Sequence, residues 1–289
     1  MPRHALVSML AMSLVLGLAP LPAASLADDI KPKAPETAFS GKLRPDILGI
    51  STESNAESAR TIFDSLFKAR TDTKTDIQQQ KFSNGTSYVA ALNFSLPAGS
   101  KQNGEMLSTS FSSPASANRA YFVARNLTFA QDQQPSKADM IKEVMGKYGV
   151  PTIVGDQHLY YIYRKGSIMS VGGKYKEATA LEAIDKPLDP RAAVKLNGDT
   201  VRGSCVAVVK RAQTKAKDPS AMLAEAKGAN CDGVLSVQLV PGVPADRVGI
   251  AQFTLLDVKR LVSAAAIDSA ALAAGPNDGS TPRGSAPKL

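Results

Sequence analysis

The sequence is poor in the residues from which many catalytic and metal sites are built: among its 289 residues are no Trp, two Cys and two His. His4 lies in an N-terminal segment that we expect to be removed, so His158 is then the only imidazole. This excludes two-histidine metal centres. No apolar run reaches the roughly 20 residues that a transmembrane helix needs, so we expect no membrane span in the mature chain.

Several catalytic motifs are absent as well. The sequence has no Gly-x-Ser-x-Gly elbow, no phosphate-binding glycine-rich loop and no His-Glu-x-x-His helix. Cys205 and Cys231 are too far apart for a Cys-x-x-Cys redox centre, and two cysteines alone do not make a structural zinc site. We therefore expect no catalytic residues, no metal site and no cofactor.

The N-terminus has the pattern of an export signal. A short basic start precedes a largely apolar run from Ala5 to Leu18, and small residues follow before Asp28. The pattern predicts a signal peptide over residues 1–27, cleaved between Ala27 and Asp28. An uncleaved anchor is the alternative, but the run is too short to cross a bilayer. We expect a periplasmic or secreted protein.

The two cysteines fit that compartment. In an oxidising setting an isolated pair tends to form a disulfide, so we expect a Cys205–Cys231 bond. Two buried free thiols are the alternative. We expect the bond to join two strands that flank a short helix.

The chain has polar ends and a periodic centre. Residues 28–45 contain three Pro and four basic residues and predict a disordered linker, and residues 275–289 predict a disordered tail. Between them, helical and strand periodicities alternate. This order predicts an α+β fold, with helices packed on antiparallel sheets in two successive modules, 46–151 and 152–274. Whether these form one domain or two is left open.

Local signals predict the elements of each module. Ser54 and Glu57 have capping-box spacing before a first helix, and Ser136 and Gly149 bound a second helix. The expected strands are a strand-like start at 46–50 and then 87–96, 104–113, 120–130, 152–154, 159–164, 205–209, 233–240 and 250–256. A short helix is expected at 219–227 and an Ala-rich helix at 259–274. The stretch 173–200 suggests mostly loop.

Three short strings carry a resemblance. Asp46-Ile-Leu-Gly-Ile50, Lys147-Tyr-Gly-Val-Pro151 and Cys231 with Asp257 resemble the pattern of a family of exported proteobacterial proteins of unknown function. Where that family continues Gly-Met-Ser or Gly-Met-Thr, this sequence has Ser51-Thr-Glu-Ser54. The layout is also similar to the modules of β-lactamase inhibitory proteins and of small outer-membrane assembly lipoproteins. These resemblances imply an exported interaction module rather than an enzyme.

The positive charge is uneven. Residues 46–151 are nearly neutral, and residues 152–274 hold most of the basic excess. Four basic residues follow one another there without an intervening acid: Lys210, Arg211, Lys215 and Lys217. They predict a surface for an anionic polymer or lipid head group, with a solvated loop as the alternative. No aromatic residue is interleaved, so we do not expect nucleic acid as a partner.

We therefore expect an exported, non-catalytic binding or interaction protein whose partner is a protein or an anionic envelope component. One alternative is an envelope-associating factor that uses the basic cluster. Another is a cell-envelope hydrolase that uses His158 or the acidic group Glu182, Asp185 and Asp189. Tyr160, Tyr161 and Tyr163 alternate along one strand and suggest an aromatic face open to a partner, unless they are simply strand residues.

Overall fold

A computed structural model describes residues 31–39, 43–68, 72–82, 85–169, 175–188, 194–196, 199–201, 204–215 and 219–273. The predicted signal peptide, the predicted tail and Lys217 lie outside these residues. Within them the fold is α+β, as the sequence predicts. The helices are α1 (Ala56–Phe67), α2 (Lys137–Tyr148), α3 (Glu177–Ala183), α4 (Ser204–Lys215), α5 (Pro219–Lys227) and α6 (Val258–Ala273).

The strands fall into two groups along the chain. The first group is β1 (Lys74–Lys81), β2 (Ser87–Leu96), β3 (Gly104–Phe111) and β4 (Ala120–Thr128). The second group is β5 (Ile153–Gly155), β6 (His158–Arg164), β7 (Ser167–Ile168), β8 (Val194–Leu196), β9 (Asp199–Val201), β10 (Gly233–Pro241) and β11 (Val248–Asp257).

Nine of the strands form one antiparallel sheet in the order β1-β2-β3-β4-β11-β10-β6-β5, with β7 paired to β6, while β8 and β9 form a separate hairpin. The last strand of the chain, β11, lies between β4 and β10. The β4–β11 ladder therefore joins the two predicted modules into one continuous sheet.

Helices cover both faces of this sheet. One core contains residues of α1, α2 and α3, and the second contains residues of α4, α5 and α6. Because side chains alternate along a strand, Tyr161 and Tyr163 enter the first core and Tyr160 enters the second. All three tyrosines are buried. The expected open aromatic face is therefore wrong, since the strand lies in the middle layer.

The second helix begins and ends where its sequence signals predict. The Ser136 hydroxyl accepts a hydrogen bond from the Asp139 N–H at 3.0 Å and caps the N-terminus of α2. Gly149 ends the helix at a φ of +84°, which favours glycine. The turn at 155–158, between the strands predicted at 152–154 and 159–164, has Asp156 and Gln157 both at positive φ.

The start of the first helix differs from the prediction. Residues 46–50 form a tight turn rather than a strand, because the Asp46 carboxylate accepts the Gly49 N–H at 2.8 Å and Ile47 bridges to Ile50. The capping box uses Asn55 and Ser58 rather than Ser54 and Glu57. Asn and Ser are comparable caps, so residue type alone did not place the boundary.

The segment Cys205–Val209 is helical, not a strand. Its buried residues are Cys205, Val206, Val208 and Val209, a spacing that fits one helical face as well as a buried strand. The stretch 173–200, for which the sequence suggests mostly loop, contains α3, β8 and the first two residues of β9. Strand β1 had no prediction of its own, because its sequence KTDIQQQK has no apolar alternation.

The described part of the expected linker, residues 31–39, packs against the fold. Ala38 and Phe39 are 3% and 2% exposed, and the Phe39 ring meets Tyr163 edge-on at 4.9 Å. The Thr37 hydroxyl and the Ala38 N–H donate to the buried Asp257 carboxylate at 2.6 and 3.0 Å. The expectation of disorder is therefore wrong for residues 31–39, because composition does not reveal a few residues that fit a specific site.

Candidate functional site

The predicted disulfide is present between Cys205 and Cys231, whose Cα atoms are 6.0 Å apart. Both residues are buried in the core beneath α4. The prediction that the bond joins two strands is wrong. The disulfide joins the first turn of α4, which contains Cys205, to Cys231, which lies two residues before the start of β10. It fixes a helix to the sheet.

Of the predicted basic cluster, the structure describes only the side chain of Lys210. Lys210 lies on α4 and forms an ion pair with Asp156 at 2.8 Å. Arg211 and Lys215 belong to the same helix, but their side chains lie outside the described residues, as does all of Lys217. The ion pair already neutralises Lys210, so this residue offers less to an anionic partner than the sequence suggests.

The residues proposed for a hydrolase do not form a described site. Glu182 is exposed on α3, and Asp185 pairs with the buried Lys137 at 2.7 Å. Asp189 lies outside the described residues. His158 is buried on the other face of the sheet, beneath α4, where its Nδ1 meets the Asp156 carbonyl. No group of three or more His, Cys, Asp or Glu within the described ranges is arranged to hold a metal ion.

His158 closes the 155–158 hairpin from within the core. Its ring stacks on Tyr160 with centroids 5.0 Å apart. Burial lowers the pKa of His158 and the nearby Lys210 lowers it further, while the hydrogen bond that His158 makes to the Asp156 carbonyl opposes this shift. Among the described residues, His158 Nε2, Tyr160 Oη and Ser236 Oγ have no hydrogen-bond partner. This is a closed, polar part of the core rather than an open site.

An open cavity of about 250 Å³, here called the α6 pocket, lies between α5, α6 and the β1–β4 end of the sheet. Its walls are rich in hydroxyl and amide groups. The polar lining residues are Gln78, Gln80, Tyr88, Ser110, Ser112, Ser113, Tyr121, Ser220 and Asp268. The apolar lining residues are Ala90, Ala91, Phe111, Leu223, Leu261, Ala264 and Ala265.

The floor of the α6 pocket follows from strand register. Gln78 of β1 pairs with Ala91 of β2, and Ala91 pairs with Ser110 of β3. Directly paired residues in antiparallel strands project to the same face, so these three form one row across the sheet. Gln80 is exposed on the edge strand β1, so the cavity reaches the surface there.

The roof of the pocket is one face of α6. Leu261, Ala264, Ala265 and Asp268 recur at helical spacing and all line the cavity. The two alanines are too small to fill the space above the sheet, which is why a cavity remains. Asp268 takes the next position on this face, where the apolar pattern would continue.

Among the described residues that line the pocket, Asp268 is the only one with a charged side chain. Among the described residues its hydrogen-bond partner is Ser113, whose hydroxyl donates to Asp268 Oδ1 at 2.7 Å. Burial, and to a lesser extent the charge of Asp268, raises the pKa of Tyr88. Burial raises the pKa of Tyr121 to about 12, with the same carboxylate contributing. Both phenols therefore stay neutral at physiological pH.

A second cavity, of about 180 Å³, lies under α2 on the opposite face and is lined partly by Arg125, Lys147 and Tyr148. Its two basic side chains are already paired. Arg125 contacts Glu105 at 2.6 Å, and Lys147 contacts Asp46 at 3.0 Å. The α6 pocket is the better candidate site, because it is the larger of the two and its charged residue, Asp268, is partly buried, whereas the acid in the second lining, Glu143, is exposed.

None of the α6 pocket residues was a candidate from the sequence. One signal was available: an acid at the apolar face of an otherwise Ala-rich helix. Asp268 follows Leu261 and Ala264 at intervals of seven and four residues. The hydroxyl-bearing lining residues lie on β2, β3, β4 and α5 and in the segment that follows β3, so only the tertiary structure brings them together.

Comparisons with protein-family models, with curated proteins and with solved structures find no match for this chain. No helix in the described ranges is both long and apolar enough to cross a membrane. The arrangement of the α6 pocket therefore carries the functional argument.

Proposed function

We propose that this chain is an exported, non-catalytic binding protein that holds a small polar ligand in the α6 pocket. The observation that carries the proposal is the convergence of nine polar side chains on one open cavity between helices and sheet. A concave site with a few converging polar groups is the usual form of a ligand site. At about 250 Å³ the space is below the roughly 300–1,000 Å³ typical of drug-sized ligands, so the ligand is small.

The lining supports binding rather than catalysis. The lining residues that the structure describes include no His, Cys or Lys that would act as a base or a strong nucleophile. Ser113 donates to Asp268, but a carboxylate without an intervening imidazole is a weak base toward a serine hydroxyl. Neutral phenols and amides are suited to donating and accepting fixed hydrogen bonds with a ligand.

The export part of the proposal rests on the N-terminal sequence pattern and on the cysteine pair. A disulfide is stable in the periplasm and in secreted proteins, where we place this chain. A partner protein or envelope component that receives the ligand remains compatible with this function.

Filling the cavity tests the proposed function. Ala265 is partly buried and lines the pocket, so Ala265→Met occupies the space without displacing backbone. We expect wild-type protein, equilibrated with the small-molecule fraction of a cell extract, to retain a ligand in native mass spectrometry. A ligand at a hundred times its Kd would stabilise the fold by about 2.7 kcal/mol, visible as a higher Tm. Ala265→Met loses both signals.

The matched control is Ala270→Met, which adds the same side chain on α6 at an exposed position outside the pocket lining. We expect it to bind as wild type does. Equal retention of ligand by Ala265→Met and wild type would reject the α6 pocket as the binding site.

A further inference from the structure

The α6 pocket combines one unneutralised carboxylate with two aromatic rings. Asp268 is partly buried, and the other eight polar lining residues are uncharged. Within the described part of the chain, the hydrogen-bond donor to Asp268 is a neutral group, the Ser113 hydroxyl. A carboxylate that is partly withdrawn from water gains most from an added cation, because Coulomb attraction strengthens as the surroundings become less polar.

Tyr88 and Tyr121 provide the second element of a cation site. Both line the cavity with Asp268, and both remain neutral phenols. The face of a tyrosine ring attracts a cation within about 6 Å of its centre. The Tyr88 hydroxyl donates to Gln80 Oε1 at 3.0 Å, which restrains this ring beside the exposed β1 edge.

We infer that the α6 pocket binds a small organic cation, with an ammonium group held by Asp268 and by the rings of Tyr88 and Tyr121. The surrounding serines and glutamines then hydrogen-bond the polar remainder of the ligand. This inference rests on the proposed function and names its ligand class. A carboxylate or phosphate ligand is disfavoured, since none of the described lining residues is a cation that would meet it.

The test compares each cation with a neutral molecule of similar shape, using calorimetry on the full mature protein. The pairs are putrescine with butanediol, ethanolamine with ethylene glycol, and choline with dimethylbutanol. We expect at least one ammonium compound to bind and its neutral partner not to bind. Asp268→Asn should weaken that binding about tenfold or more, since a charged hydrogen bond typically contributes that much.

Two controls isolate the charge. Asn at position 268 still accepts from Ser113, so the variant keeps the local hydrogen bond. Asp132→Asn removes the same charge from an exposed turn outside the lining and should bind as wild type does.

A second pair of variants tests the aromatic ring. Tyr88→Phe should retain most of the affinity for the ammonium compound because the ring remains, whereas Tyr88→Leu should lose that affinity.

The outcomes separate the two proposals. Equal binding of a cation and its neutral partner, or an Asp268→Asn variant that binds unchanged, overturns the ammonium assignment and leaves the pocket as a ligand site. If no cation binds at millimolar concentration while Ala265→Met still abolishes retention of an extract ligand, the ligand class alone is wrong. If neither experiment shows binding, both proposals fail.

Discussion

At the scale of single residues, the role of an ionisable side chain depends on its burial and on its hydrogen-bond partners more than on how many such residues the chain contains. Asp257, Asp268 and His158 illustrate this. Asp257 is fully buried but accepts hydrogen bonds from the Thr37 hydroxyl, the Ala38 N–H and the N–H of Arg260 in the first turn of α6. Burial raises the pKa of Asp257, and these donors oppose the shift. Asp268 has one neutral donor, and His158 has one backbone partner.

His158 predicts a pH dependence of stability. Its folded-state pKa lies below the ordinary value, so the unfolded chain binds the proton more readily. The free energy of unfolding is therefore highest above the ordinary histidine pKa of about 6.5 and falls as pH drops from there toward the folded value. We expect urea unfolding to show a smaller loss between neutral and mildly acidic pH in His158→Gln. Parallel pH profiles for the two proteins would contradict the prediction.

At the scale of elements, α4 depends on a covalent link and on an apolar face. Cys205 anchors the first turn of α4, while the pair Lys210–Asp156 connects the helix to the β5–β6 turn. Without the disulfide, α4 is held to the sheet mainly by Val206, Val208 and Val209.

We expect exported protein to have a mass two hydrogens lower before reduction than after it, with no thiol available for alkylation. Removing the bond by Cys205→Ala with Cys231→Ala should lower the free energy of unfolding by roughly 3 kcal/mol, as expected for a loop of 26 residues. Denaturant unfolding of both proteins measures this. Two alkylatable thiols in the exported wild type would count against it.

At the scale of the whole molecule, the segment 31–39 ties together distant parts of the chain. Phe39 packs on Gly233, where an added Cβ would lie 2.7 Å from the Phe39 ring. Glu36 forms an ion pair with Lys259 at 3.0 Å. The predicted cleavage before Asp28 leaves this segment on the mature chain.

Deleting residues 28–39 should therefore destabilise the fold. The deletion empties the space that Phe39 fills and removes the two hydrogen-bond donors, Thr37 and Ala38, that contact the buried Asp257 carboxylate. Loss of a buried Phe side chain alone costs about 3–5 kcal/mol. Denaturant unfolding should show this loss, and deletion of residues 28–30 serves as the control. Equal stability of the two truncated proteins would show that the segment contributes nothing.

Local signals predicted many elements but few contacts. Strand β2 and helix α5 begin and end as predicted because period-two alternation and a proline start are local properties. The 205–209 segment and β1 were missed, because a short apolar run fits two periods and a polar edge strand shows none. The site itself was missed, since Tyr88, Ser110 and Asp268 are far apart in the chain.

From the sequence alone follow the α+β class, the disulfide pair and most helix and strand positions. Each of these depends on composition or on spacing within a few residues. The folded structure was needed to show that β11 joins two groups of strands into one sheet, that residues 31–39 are packed, and that Asp268 and two tyrosines line one cavity. Those features depend on pairing between distant segments, which no local pattern encodes.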